Sequence, residues 1–173
     1  YYVQDYEPLF FKEDDPAWAS ALESYRYVED LKIITKTAWN ADQVAANVGV
    51  QPVPNGPSVD IDRFRPAPLG FTERSPRVRV AAMMRLSTLR RAPERTHAAL
   101  MHLRDRFGEA VDIQVFGLLP GEAASFDMRN MQDVGELDPA STARLLGACD
   151  VFLDLSDYQA MGLTALEAMA SGC

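Results

Sequence analysis

The feature that most constrains the fold is an alternation of strand-like and helix-like segments after residue 77. Apolar residues alternate from Val78 to Met84, as in a strand, and a helical pattern follows from Pro93 to Phe107, where Gly108 closes it. The same alternation continues with a strand over Val111–Phe116, a helix from Pro139 to about Ala148, a strand over Val151–Leu155 and a helix over Leu163–Ala170. Such alternation is typical of βαβ units, so the sequence predicts an α/β fold with a three-stranded parallel sheet covered by helices on both faces.

The first part of the chain is less regular. A helix is predicted from Pro16 to about Asp30 with Asp15 as its cap, then a short strand over Leu31–Thr35 and a helix over Ala38–Asn47 that Gly49 ends. Residues 51–68 contain five prolines and an Asn-Gly pair, a density of breakers that marks a linker or domain boundary. We therefore divide the chain into segments 1–50, 51–76 and 77–173.

Charge and composition exclude several classes of function. The net charge of −8 argues against nucleic-acid binding, although eleven arginines between residues 63 and 106 could serve a local anionic ligand or form an ordinary solvated face. Both histidines, His97 and His102, fall in one predicted helix, and the two cysteines, Cys149 and Cys173, lack metal-ligand or redox spacing. These observations argue against a catalytic metal site and favour a reduced, cytoplasmic protein.

The first candidate site is the segment Arg85–Arg91, between a predicted strand and a predicted helix. Ligands of parallel α/β sheets bind at the carboxyl ends of the strands, which directs attention to Arg85, Gly117 and Ser156 onward. Guanidinium groups bind phosphate oxygens in pairs, and the free N–H groups of a helix start add to the attraction. The alternative is that these arginines cap carbonyl groups or pair with Glu94.

The second candidate site runs from Ser156 to Glu167, from the end of a strand into a helix that we expect to begin near Thr164. Backbone amides at Gly162 and Leu163 would face a ligand, and the carboxylate of Glu167, in the first helical turn, could accept two ribose hydroxyls. The alternative is a capping box, because Thr164 and Glu167 have its spacing.

These segments, in this order, resemble the GT-B glycosyltransferases. Val53-Pro54-Asn55-Gly56 and Asp62-Arg63-Phe64-Arg65-Pro66 are similar to the segment that leads into their C-terminal domain, and Arg85-Leu86-Ser87 resembles their G-R-L-S motif, with Met84 where Gly is usual. Gln159 to Glu167 resembles the Glu-x7-Glu motif of the large retaining family, glycosyl transferases group 1, with Gln159 in place of the first Glu. The opening Tyr2–Pro8 is similar to a branch that assembles cell-surface polysaccharides, including rhamnose-transferring members.

The resemblance implies a Rossmann-like C-terminal domain, truncated here, that binds a nucleotide-diphosphate sugar. Segment 1–50 would be the tail of the N-terminal lobe with an interdomain helix, 51–76 the linker, and 77–173 the donor-binding domain, incomplete at its C-terminus. Arg85 and Arg90 would neutralise the diphosphate, Arg91 being the alternative to Arg90, and Gln159 would hydrogen-bond the sugar. The other implied donor-binding residues are Gly117, Gly162, Leu163, Thr164 and Glu167. Neither a metal nor a separate cofactor is implied.

The resemblance also implies partners and limits. The acceptor, a glycan or a lipid-linked sugar, would bind the absent N-terminal lobe, so we expect the fragment to transfer no sugar alone. The full protein would be cytoplasmic, either free or peripherally associated with the inner face of the membrane. Because Gln159 brings no negative charge, the resemblance does not decide whether transfer retains the configuration of the sugar. A non-catalytic nucleotide-binding module is the alternative function. An α/β enzyme such as a sugar-nucleotide epimerase is disfavoured, since no G-x-G-x-x-G or Tyr-x-x-x-Lys is present.

Overall fold

The computed structural model of the chain describes residues 1–66, 76–157 and 161–173. The chain forms two compact units. The first unit contains Tyr1–Ser58 and Met161, and the second contains Val59–Asp157 and Gly162–Cys173. The chain passes from one unit to the other between Ser58 and Val59, inside the proline-rich stretch. Prolines lack the backbone N–H that regular secondary structure requires.

The first unit combines a small parallel sheet with two helices. Its strands are β1 (Tyr2–Val3), β2 (Ile34–Thr35) and β3 (Val53–Pro54), in the order β1-β2-β3, and its helices are α1 (Pro16–Ser24) and α2 (Ala38–Val48). Asp15 caps α1 by accepting the Ala17 N–H, and Gly49, in the left-handed conformation, ends α2 as predicted.

Two predicted elements of the first unit are shorter than expected. Helix α1 ends at Ser24 rather than near Asp30, and the residue that follows, Tyr25, is buried and donates its hydroxyl to the Glu7 carboxylate. Val28, within the predicted but not the observed helix, is 55% exposed. The predicted strand over Leu31–Thr35 is reduced to the two residues of β2.

The second unit alternates strands and helices along the chain. Its strands are β4 (Val78–Met83), β5 (Val111–Phe116), β6 (Met131–Asp133) and β7 (Val151–Leu153), and its helices are α3 (Pro93–Phe107), α4 (Pro139–Ala148) and α5 (Leu163–Ala170). All paired strands are parallel, in the order β6-β5-β4-β7. The predicted α/β, Rossmann-like parallel sheet flanked by helices is therefore confirmed.

The prediction of three strands in this sheet was wrong, because the sheet has a fourth strand, β6, that was not predicted. This strand has only three residues, Met131–Asp133, and two of them are exposed, so it lacks the apolar pattern of a buried strand. The segment is nevertheless paired in register with Ile113–Val115 of β5. The last predicted strand is also shorter than expected and ends at Leu153.

Two apolar clusters hold the second unit together. The larger lies between the sheet and α3, with Val80, Ile113, Val115 and Leu100 at its centre. The smaller joins Leu146 of α4 to Ala168 of α5 and to Phe64. Leu100 and Leu146 are fully buried, whereas Phe107, at the end of the same helix as Leu100, is 52% exposed.

None of the helices in the described residues has the length and apolar character needed to cross a bilayer.

Candidate functional site

A cavity of about 160 Å³ lies at the carboxyl end of the sheet in the second unit. Residues from the ends of β4 and β5, from the segment after β6, and from the starts of α4 and α5 surround it. The lining residues are Phe64, Met83, Arg85, Phe116, Gly117, Glu136, Leu137, Pro139, Thr142, Thr164 and Glu167. In open α/β sheets this edge is where ligands bind, next to the point at which the strand order reverses, here between β4 and β7.

The cavity brings together four of the residues that the sequence singled out. Arg85 comes from the end of β4, Gly117 from the end of β5, and Thr164 and Glu167 from α5. The shared edge of the parallel strands is what unites segments that lie up to 82 residues apart in the chain. Four other predicted residues, Arg90, Arg91, Gly162 and Leu163, do not line this cavity. Gln159 lies outside the described residues.

Gly117 is required by the backbone geometry at the end of β5. Its φ is +91°, and its N–H donates to the carbonyl of Gly135 at 2.8 Å. A Cβ at this position would stand 3.0 Å from the Met84 carbonyl oxygen, so a larger residue would both strain the backbone and push against β4. The glycine therefore lets the chain turn beside the cavity without filling it.

Helix α5 presents Thr164 and Glu167 to the cavity. Gly162 occupies the N-cap position in an extended conformation, and no side chain caps the helix. Thr164 is the buried second residue of the helix, so the capping-box interpretation was wrong. The prediction that Glu167 lies in the first turn was wrong as well, because the helix begins at Leu163 and Glu167 is its fifth residue.

The arginine segment leaves β4 and forms a 3-10 turn over Leu89–Arg91 before α3 begins. Arg85 is exposed and pairs with none of the residues that the structure describes. Arg91 lies 4.0 Å from the carboxylate of Asp154, and each of these side chains is 20% exposed. The acid beside Arg91 is therefore Asp154, which follows β7.

A second arginine joins the same two segments. The guanidinium of Arg95 donates to both carboxylate oxygens of Asp157 at 2.8 and 2.9 Å, and also to the Leu155 carbonyl at 3.3 Å. These charge-assisted bonds lower the pKa of Asp157 and raise that of Arg95. The N–H of Asp157 donates to the carbonyl of Arg90 at 2.7 Å, so backbone and side-chain contacts join the segment after β7 to the residues just before α3 and to its first turn.

Sequence analysis missed the residues that follow β6. Glu136 and Leu137 line the cavity, as do Pro139 and Thr142 at the start of α4. The signal that could have found them is the rule already applied to the other strands, namely that residues after each strand are candidates. It was not applied here because β6 itself was not predicted.

No cluster of three histidine, cysteine, aspartate or glutamate side chains that could hold a metal ion occurs within residues 1–66, 76–157 and 161–173. The polar groups of the site in the described part of the chain are one exposed guanidinium, two carboxyl groups and two threonine hydroxyls, set among apolar side chains. Such groups bind phosphate and sugar hydroxyls.

Comparisons with known proteins find a likeness of structure only. No family model and no curated protein sequence matches the chain. Among solved structures, the chain is similar to a mutant of S. aureus TarM in complex with fondaparinux, alpha-GlcNAc-glycerol and UDP. The TM-score is 0.67 at 15% sequence identity, over 94% of this chain and 33% of that one, so the chain spans about a third of the length of that structure. The likeness shows that the chain has the fold of a Rossmann-like segment of a GT-B protein.

Proposed function

We propose that this chain is the donor-binding part of a GT-B glycosyltransferase, which transfers a hexosyl-type sugar from a nucleotide-diphosphate sugar to a cell-surface polysaccharide or glycolipid. The observation that carries the proposal is the single cavity that Arg85, Gly117, Thr164 and Glu167 share. These are residues that the sequence predicts as donor-binding, and they meet at the edge of the sheet where α/β proteins bind nucleotides.

Arg85 supplies positive charge to the diphosphate. Negative charge accumulates on the leaving nucleoside diphosphate as the bond to the sugar breaks, so a fixed guanidinium stabilises the transition state more than the bound substrate. Because Arg85 pairs with none of the described residues, no ion pair there has to break before phosphate binds. In this scheme the guanidinium performs the work that a metal ion does elsewhere, with Arg90 as a second cation.

Glu167 and the threonines beside it are suited to hydroxyl groups. A carboxylate accepts two hydrogen bonds, which matches the paired hydroxyls of a ribose. Thr164 and Thr142 are both at least nine-tenths buried and line the same cavity. Gly117 leaves room for the ligand next to the backbone. In this assignment Gly162 and Leu163 contribute backbone groups from the start of α5.

The structural likeness agrees with this assignment. The TarM complex contains UDP and a GlcNAc-glycerol, a nucleoside diphosphate and a sugar derivative. We propose corresponding partners here, a nucleotide sugar and a glycan or lipid-linked acceptor. The acceptor would be bound by protein outside this chain, and the whole enzyme would work in the cytoplasm or at the inner face of the membrane.

Calorimetric titration with UDP, dTDP, GDP and ADP tests the proposal. We expect one diphosphate to bind, and Arg85→Ala and Glu167→Ala each to raise its Kd about tenfold or more, since each removes a charged hydrogen-bonding group. Glu109→Ala is the matched control, because Glu109 precedes β5 at the amino end of the sheet and is 74% exposed. Absence of binding by the folded chain, or equal binding by all the variants, would contradict the proposal.

A non-catalytic nucleotide-binding module is the second candidate, and Gln159 at the first position of the Glu-x7-Glu pattern favours it. Hydrolysis of the donor sugar by the complete protein distinguishes the two. An enzyme should release free sugar slowly from its donor, whereas a binding module should bind the diphosphate and release none.

A further inference from the structure

We propose that Arg95 and Asp157 are positioning residues that hold the two sides of the donor site in register. This inference rests on the proposed function. It assigns to the pair a role in diphosphate binding although neither residue lines the cavity.

The location of the pair in the sheet is the first argument. Strands β4 and β7 are neighbours, and the chain order of the sheet reverses between them. We call the segments that follow β4 and β7 their exits; the first leads to α3 and the second to α5. The pairing of the two strands ends at Ala82 and Leu153, so it does not hold the exits together beyond that point. One exit contains Arg85, and the other leads to Thr164 and Glu167, which line the same cavity. A shift between the exits would therefore separate groups that must bind one ligand.

The number and geometry of the contacts are the second argument. The Arg95 guanidinium binds both oxygens of Asp157 and also the Leu155 carbonyl, while the Asp157 N–H donates to the Arg90 carbonyl. A planar guanidinium that holds a carboxylate at two points fixes its orientation as well as its distance. Arg95 and Asp157 are 57% and 39% exposed, respectively, so the pair contributes little to overall stability, and a role in local geometry accounts for so many contacts better.

The test uses the whole chain and whichever of UDP, dTDP, GDP and ADP binds it most tightly. We expect Asp157→Asn and Arg95→Gln each to raise the Kd about tenfold, with the midpoint of denaturant unfolding unchanged. The double variant should have the same Kd as either single variant, because both changes remove the same contact. The Kd of Arg95→Lys should lie between those of the wild-type chain and Arg95→Gln, because an ammonium keeps the charge but cannot make the two-point contact.

Arg129→Gln is the matched control. Arg129 also pairs with an aspartate, Asp127, on the surface, but this pair precedes β6 and lies away from the exits of β4 and β7. Its Kd should equal that of the wild-type chain. Hydrogen exchange supplies a readout that needs no ligand, since the amide of Asp157 should exchange faster in Arg95→Gln than in Arg129→Gln.

The outcomes separate this inference from the proposed function. Tight binding by the wild-type chain with unchanged Kd in both pair variants would overturn the positioning role alone. A Kd that rises only in parallel with lost stability would overturn it too. No binding by the wild-type chain would overturn the donor-site proposal and the positioning role together, whatever the exchange rates show.

Discussion

The two units are both built on parallel strands, yet different interactions hold them together. In the second unit β4 and β5 pair over six residues each, whereas every strand of the first unit has only two. Long ladders satisfy backbone groups by themselves, but two-residue strands leave most neighbouring carbonyls and amides to find other partners. Backbone pairing between strands therefore contributes more to the second unit than to the first.

The cores show the same difference. The second unit buries aliphatic side chains such as Val80, Ile113 and Leu100. The first buries Asn40 and Thr35 completely, and its Tyr6 and Tyr25 rings stack 5.9 Å apart. Asn40 donates to the carbonyls of Val3 and Gln4, and Thr35 to that of Thr37, so buried polar side chains complete the backbone hydrogen bonding there. Both units therefore have an apolar core, and in the first unit buried polar contacts to the backbone add to it.

The largest predicted effect is on the apolar core of the second unit. Leu100→Ala should reduce the free energy of unfolding by about 2–5 kcal/mol, because it removes a fully buried side chain and leaves a cavity between α3 and the sheet. Hydrogen exchange of the β5 amides measures it, with the exposed Phe107→Ala as a control on the same helix. A change below about 1 kcal/mol would mean that this core is not what holds the sheet.

A smaller effect is expected from the polar core of the first unit. Asn40→Ala should cost about 1–3 kcal/mol, because the buried side chain is lost and the Gln4 carbonyl loses its donor, whereas the Val3 carbonyl keeps the Lys36 N–H. Both tryptophans of the chain, Trp18 and Trp39, lie in this unit, so their fluorescence follows its unfolding. Asn47→Ala is the control, since Asn47 bonds only within its own helix at an exposed site. Equal stability of the two variants would break the proposed contrast between the units.

Acid should sharpen the contrast at two helix starts. The hydroxyl of Thr37 caps α2 and does not titrate, whereas the carboxylate of Asp138 caps α4 by accepting the Ser141 N–H at 2.7 Å. That bond holds the pKa of Asp138 below its usual value. Its stabilisation is fully present above the unfolded pKa of about 3.9 and is lost as the pH falls through the lower folded pKa.

The Ser141 amide resonance reports this loss directly. Between about pH 5 and pH 2 it should shift in the wild-type chain and stay constant in Asp138→Asn, while the Asn40 amide, bonded to Thr37, should not move in either. If both amide resonances shifted over the same pH range, the prediction that only the Asp138 cap titrates would be contradicted.

The smallest predicted effect concerns thiol chemistry, which reports on the second unit alone because both cysteines lie there. Burial raises the pKa of Cys149 to about 12. The associated stability is complete below the unfolded thiol pKa of about 8.5 and declines as the pH rises above it, since the unfolded thiol ionises first. At pH 8 a disulfide reagent should modify the half-buried Cys173 faster than Cys149. Equal rates in the native chain, measured with Cys173→Ser and Cys149→Ser, would contradict the burial.

The difference between the units also explains how far the sequence predicted the fold. Helices α3, α4 and α5 and strand β5 begin and end where their patterns predicted, because proline, glycine and aspartate mark their ends and one face is apolar. The strands of the first unit have two residues, too few for any periodicity. Helix α1 ends early, just before Tyr25, whose contact with Glu7 joins residues 18 positions apart and leaves no local pattern.

The site was predicted in part for related reasons. Arg85, Gly117 and Glu167 were found because each follows a strand that the sequence revealed or belongs to a recognisable motif. Glu136 and Thr142 were missed because they follow β6, a strand with one buried residue. The contact between Arg95 and Asp157 joins residues 62 positions apart. Asp157 lies in the second candidate segment, but nothing in the sequence links it to Arg95, so only the folded structure brings the two together.

The most direct test of the donor site is to map the bound diphosphate onto the two units by amide chemical shifts. We expect the bound diphosphate to shift the amide resonances of Arg85, Gly117, Thr164 and Glu167 in the second unit. The amide resonances of Asn40 and Val44 in the first unit should stay unchanged. Shifts centred on the first unit, or no shift in a chain whose spectrum shows both units folded, would contradict the account.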